Sequence, residues 1–301
     1  MHTYYDNFIA HYYAKDSEVY IELKKAGDVL FATAEKALLD SIDLFYATNC
    51  NIGETKAERQ RIAEQTGVHF YTVNYIFLVC ASQRVKAEYE ARGWSMALFY
   101  DTFEDLDYKL KECKDIHGVY GNFVEVWYPI FYRLQVFKLG RLEFEICGYP
   151  KDEPYVCGNV TLRRGDPVIS VHIPATGTPL SPAARLDSYK KAYAFAPFAS
   201  AIYDGKMAMF CDSWLLFEGN RNIFPADLNI AHFLDDFDII ASVEEPTYRD
   251  AWRLFGVFYH GNPDELPQDN RARRAMATWL KSGKYSGVGF GVKLFSPNDI
   301  T

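Results

Sequence analysis

Between Val168 and Phe195 the chain reads VISVHIPATGTPLSPAARLDSYKKAYAF. His172 lies at the end of a short apolar strand, and a turn of small residues follows: Ala175, Thr176, Gly177 and Thr178. Ser181 and Pro182 then supply an N-cap and a first helical residue. A strand, a tight loop and a helix N-terminus make an anion site, because unpaired N–H groups and the positive end of the helix dipole converge on the loop. An imidazole, which titrates near neutrality, stands at its mouth. The combination points to a phosphate-bearing ligand beside a proton-transfer group.

Positioning these groups requires a sheet with helices packed on it. The stretch LGRLEFEI (139–146) alternates, with Leu142, Phe144 and Ile146 on one face and Arg141, Glu143 and Glu145 on the other, as a half-buried strand does. Strands are expected at 154–163 and 167–173, joined by Arg164-Gly165-Asp166, and again at 206–217, 252–259 and 289–295. Helices are expected at 181–199, 229–237 and 270–282. Before residue 134 the pattern is helical instead: 34–46, 58–81, 82–92 (closed by Gly93), 102–113 and 122–134, the last bent by Pro129. The expected class is α+β, with a helical domain over 1–133 and a mixed sheet flanked by helices over 134–301.

Bulk composition narrows the function. A net charge of −8 argues against nucleic acid, which needs a basic face. The segment 58–76 has the outline of a helix-turn-helix, but His69, Tyr71, Asn74 and Tyr75 on its second helix suit packing better than base reading. No apolar run reaches membrane-spanning length, and the polar, aromatic start is not a signal peptide. Six scattered cysteines without a CxxC pair read as reduced thiols of a cytoplasmic protein. Isolated histidines give no metal spacing. Arg271 and Arg274 share a helix face and could meet a phosphate, though a solvated face is the default. Gly287, Gly289 and Gly291 follow a helix rather than open one, which suits close backbone packing and not a dinucleotide fingerprint.

Leu139-Gly140-Arg141-Leu142-Glu143-Phe144-Glu145, Val171-His172-Ile173-Pro174 with Gly177 and Leu180, and Cys211-Asp212-Ser213-Trp214-Leu215-Leu216 form a recognisable set. Leu266-Pro267 before the Arg-bearing helix, the closing glycines, and Tyr100-Asp101-Thr102 with Asp105 complete it. Together they resemble a bacterial acyltransferase family with a helical N-terminal domain and a GNAT-like C-terminal domain. The resemblance implies an acyl-CoA-dependent transferase fold, with acyl-CoA as co-substrate and no metal. The CoA diphosphate would then lie on Ala175, Thr176, Gly177, Thr178 and Ser181, although the stretch lacks the usual Arg/Gln-x-x-Gly-x-Gly/Ala motif.

Acyl transfer needs a base, oxyanion donors and an acid for the leaving thiolate. His172 is the first choice for base. Cys211 and Ser213 share a strand face, and either could donate to the oxyanion or protonate the thiolate. Glu143 is an alternative base or a clamp for a cationic amine. Arg141 and Trp214 are candidates for substrate contact. The expected partner is a small-molecule acyl acceptor, without nucleic acid or membrane, and homo-oligomer formation is compatible with the sequence. Two rival readings remain: a non-catalytic binding protein on a degenerate GNAT fold, and a thioesterase or hydrolase in which His172 activates Cys211 as nucleophile.

Overall fold

The computed structural model describes residues 1–298 and divides the chain into two compact units, Met1–Phe137 and Lys138–Thr301. The first unit is helical: α1 (His2–Tyr12), α2 (Glu18–Ala47), α3 (Lys56–Thr66), α4 (Phe70–Ala91), α5 (Met96–Phe103), α6 (Asp105–His117) and α7 (Pro129–Tyr132). Local chemistry sets their ends. Ser17 and Ser95 accept N–H bonds at the starts of α2 and α5, and Gly67 and Gly118 close α3 and α6 in the left-handed region. The helix expected over 122–134 is broken, because Pro129 starts a new short helix after a 3-10 turn at Glu125–Trp127.

Residues Thr72 to Ser82 of α4 are all buried, so this helix is the hub of the unit. Asn74 and Tyr75, on the second helix of the helix-turn-helix outline, are inside it. One cation is carried into the same core. Arg59 is 1% exposed, donates to Thr55 Oγ1, Ile52 O and Asn74 Oδ1, and lies 4.0 Å from Glu125. Burial pulls its guanidinium down to about 10, with Glu125 acting in the opposite sense.

The remaining elements follow in order: β1 (Val136–Leu139), β2 (Leu142–Gly148), β3 (Tyr155–Cys157), β4 (Val160–Leu162), β5 (Pro167–His172), α8 (Pro182–Ala194), β6 (Ile202–Tyr203), β7 (Lys206–Ser213), α9 (Asn220–Ile223), α10 (Asn229–Phe233), β8 (Asp238–Glu245), α11 (Ala251–Phe255), α12 (Arg271–Lys281) and β9 (Ser286–Phe295). The main sheet runs β1-β2-β5-β7-β9-β8, with β6 beside β7, while β3 and β4 form a separate hairpin. It is mixed: β5 and β7 are parallel, and β2–β5, β7–β9 and β8–β9 are antiparallel. One sheet face joins the hairpin in a cluster of Tyr155, Leu162, Val168, Phe210, Phe290 and Val292. On the other face Tyr189 of α8 packs against Phe144 and Phe295.

Two expected strands fail. Residues 252–259 fall partly in α11, which Gly256 ends at φ +71, and the rest is irregular. Residues 154–163 fold back on themselves as the β3–β4 hairpin. The strand expected to reach Phe217 stops at Ser213, whose hydroxyl accepts from Leu215 N and turns the chain into a 3-10 segment, Trp214–Leu216. That segment lies directly on β9. A Cβ placed on Gly289 would stand 2.0 Å from Leu216 O, so the close-packing reading of the glycine run holds.

Candidate active site

The parallel strands at the centre of the sheet come apart. Their register consists of Ile169↔Met209 and Ser170↔Phe210, whereas β2–β5 pairing continues up to Glu143↔His172. Val171–His172 and Cys211–Ser213 therefore extend past the last shared pair without pairing to each other. A gap at the carboxyl ends of parallel strands is where open sheets bind ligands.

The loop 173–181 lies beside this gap. Thr176 N donates to Pro174 O, Thr178 N donates to Thr176 Oγ1, and the Thr176 and Thr178 hydroxyls are 2.6 Å apart. Gly177 takes φ +70, a conformation that other residues adopt only with strain. Ser181 caps α8 by accepting from Ala184 N at 3.3 Å. Among the described residues, the N–H groups of Gly177, Leu180, Ser181 and Ala183 have no hydrogen-bond partner. Such a row at a helix N-terminus suits phosphate oxygens.

Arg141, a candidate for substrate contact, braces this loop. Its Nε donates to Thr178 O at 3.0 Å, its Nη1 donates to Pro174 O at 2.8 Å, and its own N–H donates to Ser188 Oγ. Arg185 holds the other end. This 2% exposed guanidinium makes a two-pronged bond to Asp236 and donates to Leu180 O, while Tyr189 also donates to Asp236. The Arg185–Asp236–Tyr189 cluster escaped the sequence reading, because no local spacing links residues some 50 positions apart.

Register divides the candidate residues between the sheet faces. Glu143, Glu145, Ser170, His172, Phe210 and Asp212 share one face, and Cys211 and Ser213 point to the other. His172 Nε2 lies 3.0 Å from Glu145 Oε2. Glu143, directly opposite His172, is 2% exposed. Burial raises the Asp212 carboxyl, Lys151 opposes the shift and Asp250 adds to it. Burial also pushes the Cys147 thiol up to about 12, and Glu145 adds to that shift.

The Cys211–His172 couple is not formed. Cys211 is fully buried on the opposite face, and burial raises its thiol far above the range in which a nucleophilic thiolate forms. The Ser213 hydroxyl oxygen accepts from Leu215 N as the cap of the 3-10 segment, a bond that does not use its own proton. Trp214 packs against a cluster that includes Phe224 and Tyr248. The arginines of α12 are paired within the chain, Arg271 to Asp227 and Arg273 to Asp269, while Arg274 donates to Gln268 O. Among the described residues no group of three or more His, Cys, Asp or Glu is placed to hold a metal ion, and no helix is long and apolar enough to cross a membrane.

A helical unit is followed by a mixed sheet whose two central parallel strands share only two register pairs. Residues 136–293 match the GNAT-like C-terminal domain, and residues 15–134 match the N-acyltransferase N-terminal domain. The chain belongs to the family that carries these two domains. No curated protein matches it in sequence. Among solved structures it is similar to an acyltransferase in complex with decanoyl-CoA and teicoplanin, at 23% identity and TM-score 0.58, over 75% of this chain and 66% of that one. An acyltransferase mutant with octanoyl-CoA is similar at 22% identity and TM-score 0.58, and covers the same shares. The chain thus spans 66% of the length of these relatives, and the likeness is one of fold.

Proposed function

We propose that this protein works in the cytoplasm and transfers an acyl group from acyl-CoA to the amine or hydroxyl of a small acceptor. The observation that carries the reading is the gap between β5 and β7, flanked by a braced loop of free N–H groups and by His172. The loop would take the CoA diphosphate, and the gap would admit its acyl-bearing arm. His172 would take the acceptor's proton as its lone pair attacks the thioester carbonyl. The acyl-CoA complexes of the structural relatives support the choice of donor. The free, mostly buried thiols support a reducing compartment.

Calorimetric titration with CoA, octanoyl-CoA and decanoyl-CoA tests the binding step. Saturable binding is expected, weakened roughly tenfold in Gly177→Val, because a β-branched residue is strained by about 1–2 kcal/mol in the left-handed region. No heat across the series would end the acyl-CoA reading. His172→Ala should bind acyl-CoA normally and lose turnover by about 10²–10⁴-fold. Binding without turnover in the wild-type protein, over a broad amine and alcohol screen, would favour the non-catalytic reading.

A further inference from the structure

We infer that Glu145 is a positioning residue: it fixes His172 as the Nε2–H tautomer, so that the nitrogen that accepts the substrate proton is Nδ1. This rests on the acyl-transfer reading above. Glu143 stands directly across from His172, and Glu145 stands across from Ser170. Despite this, the His172 ring reaches diagonally along the sheet face, placing Nε2 3.0 Å from Glu145 Oε2. Diagonal neighbours of this kind lie within reach of long side chains.

The chemistry of that contact is one-sided. An ionised carboxylate has lone pairs and no proton to give, so Nε2 must be the donor. The opposite tautomer would set a nitrogen lone pair against a carboxylate oxygen at hydrogen-bond distance. A neutral ring with its proton on Nε2 has its basic lone pair on Nδ1. The side chains of His172 and Glu145 are only 24% and 18% exposed, so water competes weakly for the bond. Both strands are held in register beneath it from Glu143↔His172 to Gly148↔Pro167, which limits how far the pair can drift.

The transfer then balances as follows. The acceptor's lone pair forms a bond to the thioester carbonyl carbon, and its proton passes to Nδ1 to give an imidazolium. The C–S bond breaks, the sulfur leaves with the bonding pair, and the Nδ1 proton passes to that thiolate. Products are the acylated acceptor and CoA thiol, with the neutral Nε2–H ring restored. Throughout, Glu145 keeps its charge and holds Nε2–H, as the carboxylate of a histidine-based triad does.

The test reads the tautomer directly. Long-range ¹⁵N–¹H correlation spectra of the full chain, labelled in histidine, are recorded at about pH 9, where an ordinary imidazole is neutral. The His172 signals are assigned by their loss in His172→Ala. The wild type should show the Nε2–H pattern, and Glu145→Ala should shift it toward a mixture. In parallel, CoA release from decanoyl-CoA is followed with a primary amine as acceptor. Glu145→Gln should lower kcat about 10–100-fold with the KM for decanoyl-CoA little changed, and Glu145→Asp should recover part of the loss. An Nδ1–H pattern in the wild type, or a pattern unmoved in Glu145→Ala, overturns the inference, as does an unchanged kcat in Glu145→Gln. Failure of the parent reading looks different: the wild type then shows no acyl-CoA binding or no turnover, or His172→Ala keeps full turnover, whatever the tautomer spectrum shows.

Discussion

Arg59 bears a positive charge in the core of the helical unit, and the side chains around it exist to satisfy it. Its guanidinium donates to Thr55, Asn74 and Ile52, and the rings of Phe70 and Phe77 lie 5.7 and 5.4 Å from it. Asn74 is held in turn by donating to Asn122 O. Removing one member of such a set leaves the others desolvated and unpaired, so Arg59→Ala should destabilise the protein by about 3–5 kcal/mol. Loss at Lys36, whose ion pair with Asp40 is 86% and 61% exposed, should be within the error of urea unfolding. Equal midpoints for the two variants would contradict this account. Legibility in the sequence follows the same distinction. Local chemistry could be read: His172 at a strand end, Ser181 as a cap, Gly177 in a turn of small residues. Partners set by register could not. Glu145 was visible as a polar-face residue, but its pairing with His172 depends on how β2 is aligned with β5. Likewise Cys211 and His172 are each credible alone, and only the two-residue repeat carried across β5 and β7 puts them on opposite faces.

At the scale of elements, the closing strand shows how composition serves packing. Gly287, Gly289 and Gly291 alternate on β9 and all face the same way, so β9 itself puts no side chains on this face where the 214–217 segment crosses it. A Cβ on Gly287 would meet Val243 O at 2.3 Å as well as the Phe217 ring, and one on Gly291 would meet Phe237. At Gly289 the obstacle is backbone, Leu216 O at 2.0 Å, which cannot rotate aside. Gly289→Ala should therefore cost about 3 kcal/mol or more. The damage should also disturb the end of β7 at Ser213, opposite Gly289. Thermal unfolding should show the loss, and a melting temperature like that of the wild type would mean that the turn can lift off the strand cheaply. The misread elements have physical causes as well. WRLFGVFY is rich in aromatic and apolar residues and reads as a strand, yet Gly256 serves as the helix stop of α11. The edge strand β8 was missed because its alternation is broken by a bulge between Ile239 and Ala241.

For the whole molecule, charge decides how the proposed ligand is held. The chain carries a net −8, and CoA is itself polyanionic, so the long-range field opposes their meeting. Nothing in the loop 173–181 offsets this with a cation, since it contains neither Lys nor Arg, and Arg141 spends its guanidinium on the loop carbonyls. Attraction has to come from N–H dipoles at short range, which dissolved ions screen poorly. A phosphate site built from lysines would instead lose affinity steeply as salt rises, by release of bound counterions. The two designs separate in one titration series. Between about 0.05 and 0.5 M NaCl, where the Debye length falls from roughly 14 to 4 Å, the Kd for CoA should change by less than about threefold. Any small trend should run toward tighter binding, as salt screens the repulsion between two anions. A loss of affinity of tenfold or more over that range would mean that cationic side chains carry the phosphate contact. The loop at the start of α8 would then not be where the diphosphate sits.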